Sequence, residues 1–570
     1  MFIMIAAWRQ HSIHESVESR MAMTFSEAAV SITITNLTDI LAFIIGAVAR
    51  VLPGVSMFCT YAGVAMVFVY FYQITFFGAC MAYMGRREFQ NRHCILGKVV
   101  RSKEESKHNG DSKLYRIFCA GGRSLQMKKL NKKIDLDHRV MKFFKETYGP
   151  FLMKPAVKGA VIFCYFLYVA GALIGCTRIQ EGIRFKNLAM DNSPAWHYYD
   201  LEDIHFRTYG PPVSVIFLDE VPYWDAKTQD EIKTLERTFE NGGYTWGADL
   251  TVSWIRDYTA YLQKVYGTSD TDKITFISKL QNEFLADPRN SQYKLDIRFE
   301  NRTTDSKVDW SITSSRFLVT SRDVDTALRE RSMMLEFRSK AADSHFDLLV
   351  FHPAFKVFDQ YVGVIANTVQ TLGIAMVCMF VVACLMIPHP VCAIWVTLCV
   401  ISIDAAVIGY MSMWGVTLDA ISMVNIILCI GFSVDFSAHI TYAFVIAEDK
   451  DPNDRAISAL HNLGMPILQG ALSSVLAISV LSTAPVYIFR TFFKTLFLVM
   501  VFGAGHGLVL LPVCLSFLGK CMPQVNKSER RSSKEKDKEA QIEEEEDAAK
   551  LEPLIYGKKT ANFIDIVTSV

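Results

Sequence analysis

No cysteine lies between Cys176 and Cys378, although the chain of 570 residues carries 13. Whatever folds in that interval does so without disulfides, and with no CxxC pair in the sequence a metal site is not expected. A basic excess is also missing. The formal net charge is only +1, which excludes the class of nucleic-acid binders whose footprint is a strongly basic domain. A leader is not visible either, because Met1 to Trp8 is apolar but lacks a basic n-region and a small-residue cleavage site. That stub reads as the end of a membrane span whose beginning lies upstream. Finally, no nucleophile and base pair or glycine-rich phosphate loop stands in a convincing context, so neither an enzyme nor a cofactor is expected.

Long apolar runs are what the chain does have. Hydrophobic residues make up 51% and charged ones 21%, the profile of apolar blocks set in a polar remainder. Eight blocks are long enough to cross a bilayer. They fall at about 24–48, 55–83, 156–174, 361–387, 391–411, 418–445, 465–488 and 491–518. The first carries Glu27 and Asp39 with Thr33, Thr35, Asn36 and Thr38, so one of its faces is polar and should pack on other helices. Most cysteines, Cys59, Cys399 and Cys429 among them, sit in these runs and read as small hydrophobes.

Charge sets the expected orientation. Residues 84–154 hold 18 Lys or Arg against 7 Asp or Glu, which marks this segment as cytoplasmic. Its cluster Lys128, Lys129, Lys132 and Lys133 reads as a solvated, orientation-setting linker in preference to a lipid-headgroup site. Residues 177–358 are polar and long enough for one domain. Helical patterns at 225–239, 249–265, 272–285 and 322–338 interleave with strand-like runs at 212–218, 293–299, 309–312, 316–320 and 346–351. That alternation predicts an α+β layer of helices on a sheet. Asn301-Arg-Thr303 is a glycosylation sequon in this extracellular domain. The stretch 448–462 has the spacing of an interfacial amphipathic helix.

The stretch that points to function is Gly431-Phe-Ser-Val-Asp435-Phe-Ser-Ala-His439. Asp435 and His439 are four residues apart, on one face of a helix. A carboxylate at mid-bilayer costs on the order of 2.5 to 3.5 kcal/mol, so it needs a proton, a partner or a wet cavity. Asp404, Ser473, Ser474 and His506 stand at similar depth in neighbouring spans. If they converge with Asp435 and His439, the bundle has a polar core able to couple proton or cation movement to conformational change. The competing reading is a polar network that only glues helices together, usually the work of Ser, Thr or Asn. For Gly431, Gly503 and Gly505, close helix packing is preferred. The tail from Gly519 is highly charged and reads as disordered and cytoplasmic. Thr568 and Val570 at its end match a PDZ ligand.

The words themselves resemble a known family. Gly415-Val-Thr-Leu-Asp-Ala-Ile-Ser-Met-Val-Asn-Ile426, running into Gly431 to His439, resembles the second-half motif of Patched and Patched-related proteins. Gly470-Ala-Leu-Ser-Ser474, Phe492-Phe-Lys-Thr495 and Phe502 to Pro512 are similar to that family's last two spans, and Met1 to Trp8 to the end of its fourth. The resemblance implies a member of the resistance-nodulation-division (RND) superfamily, with twelve spans in two pseudo-repeats and a ferredoxin-like extracellular domain in each half. On that reading 1–83 ends the first transmembrane half and its sterol-sensing segment, and 84–155 is the basic cytoplasmic loop. A span at 156–176 follows, then the extracellular domain at 177–358, a five-span bundle at 361–518 and the tail at 519–570. The remaining spans and the first extracellular domain are expected upstream, which makes this sequence a fragment. The resemblance places Asp435 in a relay but names no first-half partner for it. It implies sterols or other membrane lipids as ligands, at the plasma membrane or in endosomes. The alternative is a non-transporting receptor or interaction protein docked through its tail to a PDZ scaffold.

Overall fold

Helices dominate the computed structural model. It describes residues 1–11, 15–48, 52–93, 139–269, 272–304, 307–387 and 389–519, with isolated residues between 97 and 115. Thr568, Val570 and the lysine cluster 128–133 lie outside the described residues.

A short helix α1 (Phe2–Gln10) precedes α2 (Val17–Val48). Then come α3 (Pro53–Phe89) and α4 (Pro155–Cys176). After the polar domain the chain continues as α9 (Phe355–Met386), α10 (Pro390–Met413), α11 (Ala420–Ile446), α12 (Pro452–Thr483) and α13 (Tyr487–Phe517). Leaving α1 aside, these are the eight helices among the described residues long and apolar enough to span a bilayer. The protein is a multi-pass membrane protein.

At the hub is α11, in contact with α2, α3, α9, α10, α12 and α13. Of its 27 residues 19 are buried, so it meets protein nearly all round and can carry polar groups that a lipid-facing helix could not. Its start is fixed by a capping box, in which Asp419 accepts from the Ile421 and Ser422 amides and Ser422 Oγ accepts from the Asp419 amide. By contrast α4 is largely exposed and presses on α10 through small residues. A Cβ on Gly175 would lie 2.5 Å from the Gly409 carbonyl carbon, so only glycine permits this crossing.

One expectation fails at 448–462. That stretch is the first part of α12, begun by the Asp451 cap and Pro452. Arg455 is buried and donates to the carbonyls of Phe444 and Val445 at the end of α11. Satisfying those helix-end carbonyls draws the segment into the bundle instead of onto the membrane surface.

The polar domain holds α5 (Pro194–His205), α6 (Ala226–Glu240), α7 (Trp254–Tyr266) and α8 (Ala327–Ala342). Its strands are β1 (Tyr209–Phe217), β2 (Thr251–Val252), β3 (Ile297–Thr304), β4 (Lys307–Arg322) and β5 (Leu348–Phe351). β1 lies between β4 and β5, and β3 pairs with β4 as a hairpin, all antiparallel. The order β5-β1-β4-β3, with helices joining β1 to β3 and β4 to β5, is the ferredoxin-like arrangement, and β2 is added beside β4. Val213, Val215 and Phe217 alternate inward from β1 and meet Phe239, Tyr258, Phe317 and Phe337 in the core. The two expected strands at 309–312 and 316–320 are one, β4. The strand expected from 293 begins instead at Ile297, because Asp287 and Pro288 start a 3-10 helix that runs to Leu295. Asn301 is exposed on β3 opposite Trp310.

Domain and bundle are pinned together at short range. Gly182 N donates to Leu418 O at 2.8 Å, and Leu418 N donates to Gln180 O at 2.7 Å. Arg331 of α8 pairs with Glu181 at 2.8 Å, and Tyr361 of α9 donates to Ile183 O at 3.0 Å. A second tie joins Asp191 N to Pro485 O at 2.9 Å and Asp191 to Arg490 at 2.7 Å.

Candidate functional site

The site forms where α2 crosses α11. Gly431 leaves room for Asp39, whose Cγ would lie 3.2 Å from a Cβ at position 431. One turn along α11, Asp435 lies close enough to feel the Asp39 charge. Asp435 Oδ1 is buried without a hydrogen-bond partner among the described residues. A turn further, His439 Nδ1 and Ser31 Oγ share a hydrogen bond, again between α11 and α2. The two helices therefore meet along one polar seam of Asp39, Asp435, Ser31 and His439. Two carboxylates held together in a low-dielectric interior repel unless a proton or a cation sits with them. The arrangement is chemically suited to taking up and releasing positive charge.

The other expected residues divide. Asp404 of α10 is fully buried beside Ser433 of α11, whose hydroxyl donates to Ile430 O at 2.9 Å. It adds a third acid one helix away from the seam. His506 belongs to a separate cluster on the opposite side of α10. There His506 Nδ1 faces Phe502 O at 2.8 Å, which makes Nδ1 the protonated nitrogen and Nε2 an acceptor. Ser402 stands 3.2 Å from that Nε2, and Tyr165 of α4 donates to Ser402 at 3.1 Å. Ser473 is exposed, its hydroxyl turned back to Gly470 O, and Ser474 is half-buried. The structure thus joins Asp435, His439 and Asp404 around α11, leaves His506 apart, and does not bring Ser473 into the seam.

Asp39 is the residue the sequence reading did not assign to the site. Its signal was present, since it is the acid nearest the middle of an apolar span, but helical spacing within α2 says nothing about which neighbour it faces. Beside the seam, Ile34, Thr38, Met379, Val396, Val434 and Ala438 line an apolar pocket between α2, α9, α10 and α11. No group of three or more potential metal ligands occurs among the described residues.

Residues 1–83, which include Asp39 and Ser31, match the Patched SSD family model, the sterol-sensing domain of Patched. Patched-related protein 9 of Caenorhabditis elegans is 28% identical over 517 residues, 90% of this chain and 56% of that protein. The chain is similar to Patched-related proteins. Its relatives extend beyond the nematode. A Niemann-Pick type C1-related protein of Toxoplasma gondii is 28% identical over 383 residues, 67% of this chain and 32% of that one. NPC intracellular cholesterol transporter 1 of Sus scrofa is 23% identical over 589 residues, 93% of this chain and 44% of that one. The chain therefore spans about half the length, or less, of these curated relatives. Among solved structures, the hedgehog release protein Disp of the water bear Hypsibius dujardini superposes with a TM-score of 0.57 at 13% identity, covering 91% of this chain and 61% of that one. That likeness concerns the fold.

Proposed function

We propose that this chain serves in moving or binding membrane lipids, sterols in particular, with cation or proton coupling through Asp435 and Asp39. The observation that carries the reading is their juxtaposition: two acids on different helices, with Gly431 opening the space between them. One comes from the segment that matches the sterol-sensing domain, the other from the hub of the second bundle. A change in the charge held there alters the force between α2 and α11 directly, so occupancy and helix packing are linked. The apolar pocket lies one residue away on both helices, since Thr38 precedes Asp39 and Val434 precedes Asp435. A lipid in that pocket and a cation at the acids would thus compete for, or stabilise, the same helix arrangement. Cholesterol transport, named for the porcine relative, supports sterols as the ligand class. We read residues 177–358 as extracellular and 84–155 as cytoplasmic, which agrees with the lysine and arginine excess of the latter.

The test is sterol and lipid photo-crosslinking together with cation-dependent lipid efflux, in the full-length protein. Asp435→Asn and Asp39→Asn are each expected to abolish the cation dependence while leaving expression and membrane insertion intact. If efflux, crosslinking and cation dependence all match the unmutated protein in both variants, the coupling is wrong.

A further inference from the structure

Helix α5 has no buried residue, which is unusual for a helix held firmly at one face. Its inner face is well occupied. Lys186 reaches Asp200 at 3.2 Å and Asp203 at 3.8 Å and lies over the Trp196 ring, while Phe185 stacks on Tyr199 at 6.1 Å. The acids of that face are therefore met by a cation within the protein. The outward side is different. Tyr198 is 60% exposed, Leu201 42% and Ile204 65%, and Phe206 follows at 60%. Residues 198, 201 and 204 recur at helical spacing, so they form one apolar stripe.

The position of α5 says what meets this stripe. Three residues before the helix begins, the chain is tied to the loop between α12 and α13. Met190 bridges Val486, and Asp191 is held by Pro485 O and Arg490. That loop is where two spans leave the bilayer. Near it the two spans expose Leu476 (72%), Val480 (70%) and Phe489 (49%), apolar surface of the kind that meets acyl chains. Met190, the residue bridged to Val486, is itself exposed. The apolar stripe of α5 is thus tethered beside the ends of α12 and α13 that meet in this loop, and it carries aromatic and histidine side chains suited to the headgroup boundary.

We propose that α5 is an interfacial helix, seated through Tyr198, Leu201, Ile204 and Phe206 on the lipids of the leaflet beside the polar domain. It would make the bilayer surface a direct contact of that domain. The proposal is independent of the acid pair and goes beyond the coupling reading.

A photo-reactive benzoylphenylalanine placed at Ile204 in the full-length protein, in native-like lipid nanodiscs, tests it by mass spectrometry of the adducts. Lipid adducts several-fold above those from the same group at Ile274 are expected. Ile274 is at least as exposed but lies next to Lys273, which pairs with Asp309 of the β3–β4 hairpin. Adducts to protein, whether a second copy or another segment of the same molecule, would overturn the proposal, as would lipid yields equal at the two positions. A second readout guards against a local fault: Tyr198→Ser with Leu201→Ser should reduce the lipid adducts at Ile204 several-fold without changing thermal stability, and unchanged adducts count against the helix face.

Discussion

Two buried acids in this molecule live in opposite circumstances. In the polar domain, Glu236 accepts from Ser253 Oγ and from Arg256 at 3.0 and 2.6 Å, and Arg256 also binds Glu240 at 2.5 Å. Burial raises the Glu236 carboxyl, and Ser253 and Arg256 pull it back. In the membrane bundle, Asp435 keeps an oxygen with no hydrogen-bond partner among the described residues, and Asp39 of α2 packs against Gly431 one turn away. The difference teaches how to tell glue from machinery. A carboxylate whose hydrogen bonds are all made can only be lost, whereas one left short has capacity for a mobile proton or cation.

Breaking the bundle side should have the largest effect. Asp435→Asn or Asp39→Asn is expected to remove cation-driven lipid movement, read by efflux against an imposed ion gradient, with little loss of folded protein. On the paired side, Glu236→Ala leaves Ser253 without its acceptor and Arg256 with Glu240 alone, and about 1–3 kcal/mol of domain stability should go with it. Limited proteolysis of the intact protein over a temperature series would measure that loss. The contrast fails if the two phenotypes are exchanged.

An intermediate case sharpens the comparison. Glu330 of α8 is pushed up to about 7, by burial first and then by Asp203 and Asp325. Its folded form holds the proton more tightly than the unfolded chain, which ionises near the ordinary value of 4.5. Glu330 therefore costs stability as pH rises from about 4.5 through about 7, by at most about 3 kcal/mol. Glu330→Gln should stabilise the domain at pH 8 and lose that advantage at pH 4.5, a crossover visible in melting temperature against pH. The smallest effect belongs to Arg331→Ala, since its pair with Glu181 is partly exposed and is worth about 0.2–1 kcal/mol in such a setting. A double-mutant cycle with Glu181→Ala would resolve it.

Much of this was legible in the sequence. Eight spans followed from the length of the apolar runs, and the helices of the polar domain from their periodicity. What escaped depended on rotation and depth. Ser473 stands at the right height for a relay, yet its helix turns it outward. Asp39 was visible as an acid in a span, but only the α2–α11 crossing shows that it meets Gly431. Residues 194–205 gave no clear helical signal, because apolar residues stand on both faces, Trp196 and Tyr199 within and Tyr198, Leu201 and Ile204 without, and blur the period.

Consider finally the short β-bridge between Glu181 and Leu418. Leu418 immediately precedes Asp419, the cap that fixes where α11 begins. A loop would absorb a displacement of the polar domain in its own slack; a pair of hydrogen bonds one residue from the cap has none. The shaft that carries Asp435 is thus clamped at its first turn by the polar domain, about four turns from the acid pair.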